Sequence, residues 1–459
     1  MKPLDLEGVD TIAALLTGSS DGVVALVRIS GPNAEGVRDR VFLRHHPGAW
    51  DAARLYLGTL REPDGSPGAE ALCATFPVGR SYTGECCVEF HGYGGRINAQ
   101  RLLHAVLAAG ARQAEPGEFT LRAFLHGRMS LDQAEAVSAL IGAQSEEAAR
   151  QAELARRGAL AQMLEPLREG MLALLAETEA YLDFPDEGLP EGRAEAQKLL
   201  ALELVEHLRT IMKGHARSRR LLEGARVVLW GEPNAGKSTL LNALCGTDRS
   251  IVDDTPGTTR DVVETRVVWD GMPITLVDTA GIREGVGRVE QEGVRRSKRE
   301  AEQADVVVHC VGTDSLGANL EAPPSRDRPL VVETKADLAS VCGAAFALAR
   351  RLGTEVLSVS AHTGEGLGTL KDRLIQRLTG GARQGVDGVV AATARQGTLI
   401  EHAIHALQSA IRFRDEGEPE EAVAEWLRRA ARCVGEVSGR ALPTEEVLGA
   451  IFQRFCIGK

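Results

Sequence analysis

The run VVLWGEPNAGKST, residues 227–239, constrains the fold more than any other stretch. An apolar strand leads into Gly231-x-x-x-x-Gly236-Lys237-Ser238, and the helix-forming TLLNALC follows. The glycines let backbone N–H groups wrap phosphates, Lys237 neutralises the terminal phosphate oxygens, and Ser238 offers its hydroxyl to Mg²⁺. Asn234, Ala235, Gly236, Lys237, Ser238 and Thr239 are therefore candidate nucleotide ligands. A phosphate loop needs its strand and helix, so this segment predicts an α/β domain.

Further motifs follow in order. ITLVDTAG places Asp278 at a strand end, where a carboxylate can hold the magnesium water shell. Thr279, Ala280 and Gly281 come next, and the Gly281 amide is suited to sensing a γ-phosphate. Between the two motifs, DDTPGTTRD supplies Thr258 and Thr259, of which Thr259 is expected to be the second hydroxyl ligand to Mg²⁺. TKAD brings Thr334, Lys335 and Asp337 after a strand, with Asp337 able to accept from guanine N1–H and N2–H. SVSAHTGEG brings Ser360 and Ala361 to the base edge. Four motifs in this order predict binding of GTP with Mg²⁺ rather than ATP.

Two departures carry information. Thr334 stands where such motifs ordinarily have Asn, which predicts altered affinity with guanine preference retained. Ile282 follows the D-x-x-G motif where Ras-like proteins use Gln to position water, and Ile can neither accept a proton nor orient water. Glu284, Glu290 and Glu292 in the following loop are the candidates for that task.

With 459 residues, the chain exceeds one hydrophobic core and predicts two to four domains at ~150 residues each. Short β-like runs (GVVALVRIS, CCVEF), turns and one helical segment, RLLHAVLAAGAR, predict a small α+β domain over 1–126. Residues 127–222 turn to Ala, Leu, Glu, Gln and Arg at helical spacing. Over 223–380, apolar runs alternate with helix-length segments, and Asp270-Gly271 marks a hairpin. Residues 381–459 are helical again. The expected organisation is multidomain, a helical bundle interrupted by an inserted Ras-like α/β P-loop domain.

The net charge of −11 gives no average attraction to nucleic acid, so any such contact is a local patch or belongs to a partner. The basic runs KGHARSRR and RRSKRE are read as solvated helical faces, and the histidines form no metal-ligand pattern. Eight cysteines without a C-x-x-C pair suit a reducing cytoplasm, and neither a signal peptide nor a membrane span is expected. The ending FCIGK is not a prenylation box, because Gly458 and Lys459 do not suit its last two positions.

Taken with VRISG, YTGE, PGEFTLRAFLHGR, YLDFPDE and the final CIGK, the GTPase motifs resemble the tRNA-modification GTPase family MnmE (TrmE) over nearly the whole chain. The resemblance implies a cytoplasmic homodimer that works with a flavin-dependent partner, MnmG (GidA), in a heterotetramer or larger complex. Its reaction would place a carboxymethylaminomethyl group on C5 of the wobble uridine of certain tRNAs. It further implies K⁺-stimulated hydrolysis, with Asn234 and the loop 253–258, including Asp253, Thr255 and Thr258, around the ion. Asp253 stands where Thr is frequent and Thr255 where an aliphatic is common. Glu290 matches the glutamate that orients water.

The N-terminal domain is implied to bind 5,10-methylene- or 5-formyl-tetrahydrofolate through Arg28, Glu89, Arg128 and Lys459. Cys456 is implied to lie beside the one-carbon chemistry as nucleophile, general acid or packed side chain, and Tyr93 departs from a usual His. The rival reading is a ribosome-assembly or signalling GTPase switch, which needs no folate site.

Overall fold

The computed structural model of the chain describes residues 10–17, 22–183, 193–213, 215–246, 263–279, 288–314, 320, 322–325, 327–338, 343–379, 393–440, 445–452, 455 and 458. The chain divides into two compact units. One comprises Met1–Ser138, Arg156–Ala201 and His405–Lys459, the other Ala139–Ala155 and Leu202–Ile404.

The first unit is built on a seven-stranded sheet. Its strands are β1 (Ile12–Leu15), β2 (Val24–Ser30), β3 (Phe42–Arg44), β4 (Tyr56–Arg61), β5 (Pro67–Phe76), β6 (Cys87–Tyr93) and β7 (Arg112–Gln113). Their order is β3-β4-β5-β6-β2-β1-β7. Only the short β7 runs parallel to its neighbour β1. In β2 the residues Ala25, Val27 and Ile29 point into a core with Val88, Phe90 and Val106. Period two therefore sends Arg28 to the opposite face, directly across from Glu89 of β6.

Three helices serve this sheet, Ala34–Val41, Arg96–Ala108 and Glu118–Leu125, where the sequence predicts one. The first, AEGVRDRV, has only a narrow apolar stripe of Ala34, Val37 and Val41, and that stripe is buried against the sheet. Tertiary packing rather than propensity makes it a helix.

In the same unit the helices Ala159–Asp183 and Glu420–Ser438 pack together although distant in sequence. Leu160, Leu164, Leu167, Met171 and Leu174 form the buried stripe of one, and Val423, Leu427, Ala430, Val434 and Val437 that of the other. Arg428 Nη2 donates to Glu179 Oε1 at 2.7 Å across the pair. The helix Glu445–Phe452 adds Leu448 and Phe452 to a cluster with Leu121, Phe124 and Phe455.

The second unit contains a six-stranded sheet of β8 (Ala225–Trp230), β9 (Val263–Trp269), β10 (Met272–Asp278), β11 (Val306–Gly312), β12 (Leu330–Thr334) and β13 (Val356–Val359). The order is β13-β12-β11-β8-β10-β9, parallel except for β9. β9 and β10 form the predicted hairpin, with Asp270 at φ 48° and Gly271 at φ 77°, as a tight two-residue turn requires. Val227, Leu229, Leu276, Val308, Cys310 and Val332 lie in its core. The C-terminal strand ends, where parallel sheets bind ligands, gather Gly231, Asp278, Thr313, Thr334 and Ser360. Among the described residues no helix is long and apolar enough to cross a membrane.

Candidate functional site

The loop after β8 holds conformations that side chains rarely adopt. Gly231 has φ 150°, and a Cβ there would lie 2.4 Å from the Cys310 carbonyl oxygen. Asn234 sits at φ 63° and Gly236 at φ 78°, which turns the chain into the helix Lys237–Cys245. The first-turn amides of that helix open toward the same space, a ready-made anion seat. Lys237 is 4% exposed, and its Nζ donates to the carbonyls of Gly231 at 3.0 Å and Glu232 at 2.7 Å. Its charge is thus arched over the loop rather than out in water. Asn234 and Thr239 are exposed, and Ala235 is buried beneath them.

Ser238 Oγ donates to Asp278 Oδ2 at 2.5 Å. A hydroxyl and a carboxylate so close, beside an anion seat, are the hard oxygen donors that suit Mg²⁺. Thr279 Oγ1 donates to the Leu229 carbonyl at 2.7 Å and ties the end of β10 to β8. Asp253, Thr255, Thr258, Thr259, Ala280, Gly281 and Glu284 lie outside the described residues. Glu290 and Glu292 fall on the helix Arg288–Gln303, with their side chains outside the described set.

At the other end of the crest, Ser360 Oγ donates to Asp337 Oδ1 at 2.6 Å, and this bond lowers the Asp337 carboxyl below its ordinary range. Ala336 N–H donates to the Val359 carbonyl at 3.2 Å, and Thr363 N–H to Ser360 Oγ at 3.1 Å. The carboxylate is therefore held by two loops, with Ala361 following Ser360 on the second. Lys335, at φ 60°, donates through Nζ to Asp314 Oδ2 at 2.7 Å, and Thr313 Oγ1 donates to the Lys335 carbonyl at 3.2 Å. Thr313 and Asp314 were not among the predicted site residues. Their signal is the abrupt polar stop after the apolar β11, at the end of a parallel sheet where ligands bind.

In the first unit, Arg28 Nε donates to Glu89 Oε1 at 2.8 Å. The guanidinium also lies 5.1 Å from the ring of Tyr82 and 5.8 Å from that of Phe119. Tyr82 is fixed by a 3.0 Å hydrogen bond between its hydroxyl and that of Thr120. A half-buried carboxylate paired with a guanidinium that lies over aromatic rings fits a flat heterocycle with N–H donors, such as a pterin. Tyr82 and Phe119 lie in the runs YTGE and PGEFTLRAFLHGR but were not singled out.

Arg128 makes a separate contact on the loop carrying Tyr82, with Nη1 donating to the Gly79 carbonyl at 3.1 Å. Tyr93 is 61% exposed and pairs with Val24, four positions along β6 from Glu89. Cys456 and Lys459 lie outside the described residues. Between them, Gly458 at φ 102° is so close to β1 that an added Cβ would meet the Leu15 carbonyl at 2.6 Å. Burial pushes the thiols of Cys73 and Cys310 up to about 12 and that of Cys86 to about 11, so these three are poor nucleophiles.

Comparison with known proteins gives two family matches, the MnmE helical domain over residues 131–456 and the GTP-binding protein TrmE N-terminus over 11–128. The tRNA modification GTPase MnmE of Synechococcus sp. (strain RCC307) is 40% identical over 459 residues, 98% of each chain. That of Thermus thermophilus is 40% identical over 453 residues, covering 98% of this chain and 99% of its own. Among solved structures, the G domain of the T. maritima FeoB iron transporter covers 33% of this chain and 98% of its own, at 25% identity and a TM-score of 0.25.

Proposed function

This chain belongs to the family of the tRNA modification GTPase MnmE and is a GTP hydrolase, and we propose that it couples hydrolysis to modification of the wobble uridine of tRNA. In this reading it acts in the cytoplasm as a homodimer with the flavin-dependent partner MnmG (GidA), and places a carboxymethylaminomethyl group on C5 of uridine 34. Residues 1–126 serve folate binding and dimerisation, 127–222 and 381–459 the helical domain, and 223–380 the GTPase domain.

The observation that carries the hydrolytic half is the convergence on one sheet crest of Lys237, the Ser238–Asp278 pair and the Asp337–Ser360 pair. Lys237 and the loop amides would hold the phosphates, Ser238 and Thr259 would ligate Mg²⁺ with Asp278 on its water shell, and Asp337 would accept from the guanine edge. Asn234 and the loop 253–258 would hold K⁺, which would supply positive charge at the phosphates without an arginine finger. Glu290 orients the attacking water.

The second half is supported by the Arg28–Glu89 pair, with the rings of Tyr82 and Phe119 near the guanidinium, inside the TrmE-like N-terminal stretch. There Glu89 would accept from the donor face of a pterin, with Arg28, Arg128 and Lys459 as cations for the acidic tail. The bound tetrahydrofolate would supply the one-carbon unit. Cys456 is assigned beside it.

GTP hydrolysis by the purified chain is expected to run about tenfold or more faster in KCl than in matched NaCl. Equal rates would remove K⁺ from the reading. Glu290→Ala is expected to slow turnover about a hundredfold while GTP affinity stays within about twofold. Unchanged turnover in that variant would move the water-orienting role to Glu284 or Glu292.

A further inference from the structure

An asparagine amide carries two N–H donors and a carbonyl acceptor, so at position 334 it could hold the protein and still donate to a base. Threonine has a single O–H. Here Thr334 Oγ1 donates to the Ala235 carbonyl of the phosphate loop at 2.6 Å, and among the described residues its one other acceptor is the Val311 carbonyl at 3.3 Å. Both partners are carbonyls, so neither can free the hydroxyl proton. The residue is 4% exposed, and a Cβ on Gly236 would lie 3.4 Å from its hydroxyl oxygen. Its remaining branch is a methyl group, which offers no proton.

Guanine presents acceptors at N7 and O6 on its imidazole side, and N1–H and N2–H donors on its Watson–Crick side. We propose that Thr334 is a phosphate-loop anchor that leaves guanine N7 unread, so that base selection in this chain rests on the Watson–Crick contacts of Asp337. The proposal rests on the GTPase reading and adds to it a specificity feature of this chain. Thr334 is a positioning residue. Its hydroxyl joins the last residue of β12 to the loop before the helix Lys237–Cys245 and so couples the base end to the phosphate end.

The test is binding of GDP, 7-deaza-GDP and ADP to the full chain and to two variants. Wild type is expected to bind GDP and 7-deaza-GDP within about twofold of each other. Thr334→Asn is expected to favour GDP over 7-deaza-GDP by about threefold to tenfold, the range of one neutral hydrogen bond. Thr334→Val, of similar shape but without the hydroxyl, is expected to weaken both guanine nucleotides by the same factor. A wild-type preference for GDP over its 7-deaza analogue above about threefold would overturn the proposal. So would a Thr334→Asn protein that ignores N7, or a Thr334→Val protein that loses only one nucleotide. If wild type fails to prefer GDP over ADP, the GTPase reading itself fails, which the 7-deaza comparison by itself would not produce.

Discussion

Asp337→Asn is expected to exchange guanine for xanthine. The carboxylate is acceptor-only and can take both N1–H and N2–H of guanine, while Ser360 Oγ donates to its Oδ1 at 2.6 Å and fixes the plane of the group. An amide replaces one of those acceptors with an NH₂ donor that faces another donor, the guanine amino group. Xanthine has a carbonyl at that place, so donor and acceptor match again. A site built to hydrogen-bond one edge rejects the wrong edge by about 10⁴-fold, so the GTP-to-XTP affinity ratio should move by that order. Competition of GTP and XTP against a fluorescent nucleotide reads it directly. A variant that still prefers GTP would place base recognition elsewhere than Asp337.

Arg122→Ala is expected to destabilise the N-terminal sheet by about 3–5 kcal/mol, the cost of removing one partner from a buried ion network. Arg122 Nη1 donates to the Asp10 carbonyl at 2.9 Å and to Glu85 Oε1 at 3.2 Å, and Nη2 donates to Asp10 Oδ1 at 2.6 Å and Glu118 Oε1 at 3.0 Å. Arg112 shares two of these acids, at 2.6 Å to Asp10 and 2.7 Å to Glu118. The side chains of Arg122, Glu118 and Glu85 are 3%, 6% and 10% exposed, and of the three acids Glu85 loses its cation while Asp10, 37% exposed, and Glu118 keep Arg112. Arg122→Lys should recover only part of the loss, because one ammonium cannot cover three directions. Native-state amide exchange across β2 and β6 is the measurement, and protection should fall about a hundredfold or more. Unchanged protection would show that the network is not a stabilising element.

The pH dependence follows from the same groups. The hydrogen bond from Arg112 is the largest influence on Asp10 and lowers it. For Glu118 burial pushes up, but the bonds from Arg112, the Glu115 amide and Arg122 outweigh it and leave it lowered. A carboxyl lowered in the folded state contributes stability above its unfolded value, about 4, and loses it as pH falls through the folded value. Arg122 also lowers both carboxyls, so the gap between wild type and Arg122→Ala should be full at pH 7 and narrow in part below about pH 4.

The second unit was largely legible because its signals are local. Strand, glycine loop and helix must be consecutive to wrap a phosphate, and Gly231, Asn234 and Gly236 carry the positive φ values that such a loop demands. The Asp270-Gly271 turn is likewise written in two adjacent residues. In the N-terminal region the helix Ala34–Val41 was not legible, since four of its eight residues are charged and its apolar stripe means little until a sheet covers it.

By itself, the sequence determined the order of the GTPase motifs, the hairpin in the inserted sheet and the helical character of the segments flanking it, all features encoded within a few turns of chain. Tertiary structure alone decided the rest. Arg28 and Glu89 are 61 residues apart and meet only because β2 and β6 pair in one register. The tail returns to β1 through Gly458, where the Leu15 carbonyl leaves no room for a side chain. Whether the Thr334 hydroxyl serves a base or the protein depended on the Ala235 carbonyl, 99 residues away, lying 2.6 Å from it. One proton makes one such bond, and which acceptor stands nearest is a property of the packed fold.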